Sequence, residues 1–313
     1  MARIAVTGAT GGLGANVVRA ARAGGHEVVV LSRGQGGVAP GVALGELPGV
    51  LVHRGDATSA ADVTALAVGA DALIHCANPP FAGDWIGGQK RMADAAIDAC
   101  RATGARLVFP GNVWIFGRGR RGERVLDDAA AAPISARGRA RATIEASITR
   151  SGVPFTIARI AEFYGPSVTT LMGPPLQALA AGRTATWYGP PDVEIELAYM
   201  PDVGNAVVSA GLDARTRGLA LNVPTAGVTT PRKFLELARA QSGRGSLRFL
   251  PAFVVHAAAP FHAKARAFAD ILHLWTDPVV MKAARWSELA LPPLPTSYAA
   301  GIEATLAWHR AGA

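Results

Sequence analysis

The residues that most constrain this chain lie at its start. Thr7-Gly8-Ala9-Thr10-Gly11-Gly12-Leu13-Gly14 sets glycines at 8, 11 and 14. The apolar run Arg3 to Val6 precedes them, and a small-residue helix is expected over Gly12 to Ala23. Gly8 permits a tight turn off a strand, Gly11 lets backbone approach a bulky anion, and Gly14 lets the helix pack close on the sheet. The helix N-terminus adds amide donors and the positive end of its dipole. With a second strand at Glu27 to Leu31, the unit has the order needed to hold the pyrophosphate of a dinucleotide, with Thr10, Gly12 and Leu13 in the same turn.

The second strand ends in Val30-Leu31-Ser32-Arg33-Gly34. A site for NAD ordinarily carries an acid here to hold the ribose 2′-hydroxyl. None stands here. Arg33 is suited to a 2′-phosphate and Ser32 to a further hydrogen bond, so NADP is expected over NAD.

Short β-type runs continue to alternate with helical stretches, as in a doubly wound parallel α/β sheet of Rossmann type. Strands are expected at Val50 to Arg54, Ala72 to Cys76, Arg106 to Phe109 and Pro154 to Ala158. The expected helices run from Ser59 or Ala60 to Val68 (capped by Thr58 or Ser59), from Gly88 to Ala102 and from Arg139 to Arg150. Beyond residue 160 prolines break the alternation. The expected division is a dinucleotide-binding domain over 1–163 and a smaller, mainly substrate-binding C-terminal lobe over 164–313. Residues 192–215 are expected to return to the core, with Asp202 capping a helix through Ala210. Lys264 to Trp275 and Tyr298 to Trp308 read as amphipathic helices.

Composition narrows the function classes. Half of the residues are hydrophobic, yet no run is long and apolar enough for a membrane span. Cys76 and Cys100 are the only cysteines, which excludes a disulfide framework, gives no metal-ligand spacing and fits a cytoplasmic location. The net charge of +8 raises nucleic acid as a partner, and Arg118, Arg120, Arg121 and Arg124 form the one basic cluster. Glu123, Asp127 and Asp128 dilute its field, so a solvated loop is the preferred reading.

These segments resemble the extended short-chain dehydrogenase/reductase family, which includes NAD-dependent epimerases and dehydratases. The glycine spacing matches its Gly-x-x-Gly-x-x-Gly turn. Gly55-Asp56-Ala57-Thr58 resembles the segment whose acid contacts adenine, which implies Asp56 and Ala57 at the cofactor. His75-Cys76-Ala77-Asn78 resembles the cofactor-lining stretch after strand four, which implies Ala77 and Asn78. Tyr164-Gly165-Pro166 and Tyr199-Met200-Pro201-Asp202 resemble later motifs of the family. The resemblance also implies a small-molecule substrate and admits a homodimer.

The family's chemistry uses Tyr-x-x-x-Lys, one helical turn apart. The tyrosines here, 164, 188, 199 and 298, are followed four positions on by Val168, Asp192, Val203 and Ile302. Anchored on Glu145, the aligned pair is Arg137 and Arg141, and the family's serine position falls on Asn112. Arg141 is the candidate for holding the nicotinamide ribose as a permanent cation. Asn112 with Arg137 would bind or polarise a substrate oxygen, although neither replaces a tyrosine as proton donor. Glu162, Tyr164, Tyr199 and His75 are further proton-handling candidates for which a structural role is preferred. Trp114 and Trp187 read as pocket walls. The leading expectation is an NAD(P)-dependent oxidoreductase, the alternative is a non-catalytic NADP-binding sensor, and nucleic-acid binding ranks third.

Overall fold

The computed structural model describes residues 1–34, 49–81, 83–292 and 295–312. Most of the expected Gly34 to Gly49 connection therefore lies outside the described residues. In chain order, the first part comprises β1 (Arg3–Thr7), α1 (Gly12–Ala23), β2 (Glu27–Ser32), β3 (Val50–Arg54), α2 (Ala60–Ala67), β4 (Ala72–His75), α3 (Trp85–Thr103), β5 (Arg106–Asn112), α4 (Ala136–Arg150) and β6 (Phe155–Ile160). Then follow β7 (Glu162–Tyr164), α5 (Gly173–Ala180), β8 (Thr184–Tyr188), β9 (Ile195–Tyr199), α6 (Met200–Leu212), β10 (Leu219–Asn222), β11 (Val228–Thr229), α7 (Pro231–Ser242) and β12 (Ser246–Leu250). Short helices end the chain: α8 (Phe253–Ala258), α9 (Ala263–Ile271), α10 (His273–Thr276), α11 (Ala284–Glu288) and the longer α12 (Tyr298–Arg310).

Among the described residues, seven parallel strands form the main sheet in the order β10-β6-β5-β4-β1-β2-β3. The chain winds outward from β1 to β3 and then returns to β4 on the other side of β1. That reversal opens a crevice at the carboxyl ends of β1 and β4, where open α/β sheets bind ligands. The buried strands read as continuous apolar runs because helices cover both faces. Ile4 and Val6 pack on one side with α1 and α6, while Ala5, Leu73, Leu107 and Phe109 pack on the other with α2, α3 and α4. This is the doubly wound architecture expected from the sequence.

Small residues set the closest approaches. Gly14, Ala15, Val17, Val18 and Ala21 of α1 are buried, and Gly204 of α6 meets the backbone of Asn16. Ser59 caps α2, its hydroxyl accepting from the Asp62 amide at 3.3 Å.

The structure departs from the expected elements in several places: α3 and α4 begin at Trp85 and Ala136 rather than at Gly88 and Arg139, and the short strands β7, β8, β9, β11 and β12 were not expected. β10 adds a seventh strand beside β6. Asp202 does not cap α6: Tyr199 holds that position, and the Asp202 carboxylate instead accepts from the amide and hydroxyl of Thr296 at 2.6 and 2.8 Å. The amphipathic stretch from Lys264 to Trp275 is broken into α9 and α10 at Leu272. Beyond β6, the smaller sheets β11-β9-β7 and β12-β8 lie among the later helices, and β9 leads into α6, which packs on α1.

Candidate functional site

Gly8 closes β1 with φ +72°, a left-handed conformation that disfavours any residue with a Cβ. A methyl group there would stand 2.5 Å from the backbone nitrogen of Ala77, so the carboxyl ends of β1 and β4 touch at this glycine. The Gly11 amide donates to the Gly8 carbonyl at 3.0 Å, and a Cβ on Gly14 would strike that same carbonyl. Gly11 is the N-cap of α1 and offers no side chain to its first amides. The turn is therefore a cradle of backbone donors whose N-cap contributes no side chain, and among the described residues only the Met200 methyl comes near Gly12, which fits a pyrophosphate. Ser167 lies across the turn, its carbonyl oxygen 3.2 Å from where a Gly12 Cβ would stand.

At the ends of β2 and β3 the register pairs Ser32 with Arg54. Arg33 is exposed, and the Arg54 guanidinium approaches Gly34, lying 2.9 Å from the position of a Cβ there. Arg54 thus lies beside the end of β2, next in the chain to the exposed Arg33. Arg54 was not singled out in the sequence, because only the parallel register brings it beside Ser32. Asp56 follows, its Oδ1 accepting from the Thr58 amide at 2.8 Å and hydroxyl at 2.7 Å. Those bonds, aided by the nearby Arg33, hold its carboxyl below the usual range.

The residues aligned with the family's catalytic pair are deeply engaged. Arg137 stacks on Phe81 at 4.5 Å and Trp85 at 5.6 Å, donates to the Phe81 carbonyl at 3.0 Å and pairs with Asp270 at 3.5 Å. Asp270 also accepts from the Ala136 and Arg137 amides, so it holds the first turn of α4 from the C-terminal part of the chain. Arg141, 8% exposed, lies over Phe109 at 4.5 Å and donates to Gln89 Oε1 at 3.1 Å and to the Pro110 carbonyl. Burial lowers its pKa to about 10, which leaves it charged at neutral pH. Gln89 in turn donates to Asn78 Oδ1, which also accepts from Trp85 Nε1 at 3.1 Å. One network therefore links the expected cofactor-lining Asn78 to Arg141.

Asn112 ends β5, and its Oδ1 accepts from the Trp114 amide at 3.2 Å. Trp114 Nε1 then donates to Glu162 Oε1 at 3.0 Å. Burial raises the Glu162 pKa against the opposing effect of that bond.

The remaining proton-handling candidates belong to packed structure. His75 is 4% exposed and bonds Thr7 Oγ1 through Nδ1 at 3.0 Å. Burial, with Arg141 nearby, lowers its pKa to about 4, so the ring is neutral at physiological pH. Tyr164 is fully buried against Tyr199, Phe234 and Tyr298, and burial moves its hydroxyl far above the ordinary phenol range. Burial likewise raises the Tyr199 pKa. In the basic loop Arg118 pairs with Asp277 and Arg124 with Glu194, while Arg120 and Arg121 face solvent. Among the described residues no group of three or more His, Cys, Asp or Glu side chains could hold a metal ion. No described helix is long and apolar enough to cross a membrane.

Glu196 on β9 accepts from the Met281 amide at 2.9 Å, yet burial raises its pKa from 4.5 to about 6. A carboxyl whose folded-state pKa is raised contributes stability below the unfolded value that is lost as pH rises through the folded value. Glu196→Gln should therefore flatten the loss of unfolding free energy between pH 4.5 and 7, by at most about 2 kcal/mol, at about 1.36 kcal/mol per pKa unit. Parallel slopes for the two proteins in urea unfolding at those pH values would rule this out.

Solved structures share this architecture across 99% of the chain. A dTDP-glucose 4,6-dehydratase from Bacillus anthracis str. Ames, in complex with NAD, aligns at TM-score 0.81 and 14% identity over 96% of its own length. A UDP-glucose 4-epimerase from Thermotoga maritima aligns at 0.79 and 15% identity over 99% of its length. The UDP-glucose 4-epimerase of Thermus thermophilus, a complex with NAD, aligns at 0.77 and 20% over its full length. No curated protein matches by sequence. The model of one family matches residues 4–223, from β1 to just past β10: the chain belongs to the NAD dependent epimerase/dehydratase family.

Proposed function

We propose that this chain is a nicotinamide-dependent oxidoreductase of the epimerase/dehydratase type that acts on a small organic substrate by hydride transfer. The glycine cradle at the β1–β4 crevice carries the reading, because backbone amides behind an N-cap without a side chain suit a bound pyrophosphate. The family description and the NAD named with two of the structural neighbours support it. Gly8, Thr10, Gly11, Gly12, Leu13 and Gly14 would hold the phosphates, and Asp56, Ala57, Ala77 and Asn78 would line the adenosine and nicotinamide ends. The nicotinamide supplies the hydride chemistry when bound. Asn112 would orient a substrate oxygen with its amide. Arg141 supports the floor of the site through Gln89 and Asn78, and Arg137 fixes Phe81, Trp85 and α9 against α4. The C-terminal part, mainly residues 164–313, would supply the substrate lobe to a binding domain over 1–163.

Within the cofactor class we propose a preference for the 2′-phosphorylated form. Ser32, Arg33 and Arg54 stand at the paired ends of β2 and β3, where an acid would serve a free ribose hydroxyl. Arg33→Asp should raise the Kd for NADPH about 10–100-fold, given about 1.5–3 kcal/mol for a hydrogen bond to a charged group, and should tighten NADH. Fluorescence titration of both cofactors reads this, and equal affinities in the unaltered protein would sink the preference. The activity itself is tested by NADPH and NADH oxidation across ketones, enones and sugar nucleotides. Tight cofactor binding without turnover on any of them would favour a binding protein over an enzyme.

A further inference from the structure

Beyond β4 runs a chain of hydrogen bonds whose direction is fixed at its buried end. Ala77 lies against the glycine turn, its nitrogen 2.5 Å from where a Gly8 Cβ would stand, so Asn78 is the next residue along that edge of the crevice. Asn78 is half-buried, and its Oδ1 accepts from Trp85 Nε1 at 3.1 Å and from Gln89 Nε2. Gln89 is 2% exposed, and its Oε1 accepts from Arg141 at 3.1 Å.

An amide side chain can ordinarily present either end, because its oxygen and nitrogen have nearly the same shape. Here that freedom is gone. Arginine and tryptophan N–H groups only donate. Arg141 therefore requires the Gln89 oxygen, which turns the Gln89 nitrogen toward Asn78. Trp85 and Gln89 then both require the Asn78 oxygen, and Asn78 Nδ2 is left as the open end. Among the described residues Nδ2 has no acceptor. The two obligate donors are themselves held. Trp85 is 3% exposed, packed on Trp114 at 5.7 Å and on the Arg137 guanidinium at 5.6 Å. Arg141 lies over Phe109 and also donates to the Pro110 carbonyl.

We propose that Asn78 is a fixed hydrogen-bond donor to an acceptor oxygen of the bound dinucleotide, and that Gln89 and Arg141 are positioning residues that set its direction. The proposal deepens the nicotinamide reading and rests on it. A donor is the group the ligand's chemistry asks for, since phosphate, ribose and carboxamide oxygens all accept. An oxygen turned outward at the same place would face those oxygens and repel the phosphates. Because Asn78 is already oriented, binding costs it little rotamer freedom. The buried cation at the far end polarises both amides toward stronger donation. Arg141 thus acts on the ligand from behind two amides, without reaching it.

Titration of NADPH into the full chain, read from its fluorescence, tests the links in turn. Asn78→Asp has the same shape and keeps an oxygen for Trp85 and Gln89, but it turns a second oxygen outward in place of the donor. NADPH should then bind at least about 30-fold more weakly, as for a lost donor plus like-charge repulsion. Asn78→Ala, which only removes the donor, should cost about tenfold. Gln89→Glu keeps an acceptor for Arg141 but has no donor for Asn78, whose nitrogen then turns inward. It should also cost about tenfold, and adding Asn78→Ala to it should cost less than about twofold more, because coupled residues are not additive. Full additivity of those two changes would overturn the positioning roles. ADP, titrated in parallel, places the acceptor: the Asn78→Asp loss extends to ADP for a diphosphate oxygen and is confined to NADPH for one on the nicotinamide half. Unchanged NADPH affinity in Asn78→Asp would overturn the proposal and leave the cofactor reading intact. Failure of the unaltered protein to bind either NADPH or NADH would remove both.

Discussion

Replacing Gly8 with alanine should weaken dinucleotide binding by at least about 100-fold, the equivalent of losing two or so charge-assisted hydrogen bonds to the phosphates. The methyl group has nowhere to go. It would meet the backbone nitrogen of Ala77 at 2.5 Å, at a residue whose φ of +72° already disfavours a side chain. Left-handed backbone costs about 1–2 kcal/mol for an ordinary residue, and overpacking against backbone adds about 1–3 kcal/mol. The turn would relieve this by shifting away from β4, which moves the free Gly12 and Leu13 amides from the place proposed for the phosphates. Gly25, with φ +74° and open space around its Cβ position, is the control: Gly25→Ala carries the backbone term alone. NADPH titration and urea unfolding of both variants separate the contributions. Equal NADPH affinity for Gly8→Ala and the unaltered protein would show that the turn does not hold the cofactor.

The second large effect lies beneath the crevice. Arg159 and Glu145 form an ion pair at 3.0 Å with side chains only 11% and 6% exposed, and Arg159 also donates to the Asp127 carbonyl at 2.8 Å. Arg159→Ala leaves the Glu145 carboxylate buried without its cation, which costs about 3–5 kcal/mol. Burial already raises the Glu145 pKa against the lowering effect of Arg159, so removing the arginine raises it further. A raised folded-state pKa favours folding at low pH, so the variant should lose more stability at pH 8 than at pH 5. Adding Glu145→Gln removes the stranded charge and should recover part of the loss at pH 8. If the single variant unfolds at the same urea concentration as the unaltered protein at both pH values, the buried pair does not stabilise the fold.

What the sequence made legible was local. The glycine turn, α1 and β3 are visible in spacing and turn residues, and Ser59 was one of two residues named for the cap it forms, because such signals act over a few residues. β10 was invisible. Leu219–Asn222 is four residues long, and it becomes a strand by pairing with Thr156 to Arg159, some sixty positions away. Asp202 looked like a helix cap by position, but Thr296, ninety-four residues later, captures its carboxylate. The site shows the same limit. Arg137 and Arg141 could be placed on α4 by alignment, yet Phe81, Gln89, Pro110 and Asp270, which decide what their guanidinium groups do, come from four other segments. Arg54 was hidden for the same reason. Side-chain chemistry can be read from a residue's identity, whereas its partners depend on the tertiary fold.

The late strand β10 also bears on how the molecule is made. During synthesis from the N-terminus, β6 emerges some sixty residues before the strand that covers it. Until then β6 presents a row of unpaired amides and carbonyls, a template for pairing with another chain. The α1 surface that receives α6 waits as long, since α6 ends only at Leu212. A chain stopped after residue 163 would therefore be prone to assemble edge to edge, and the nascent protein needs shielding over that interval.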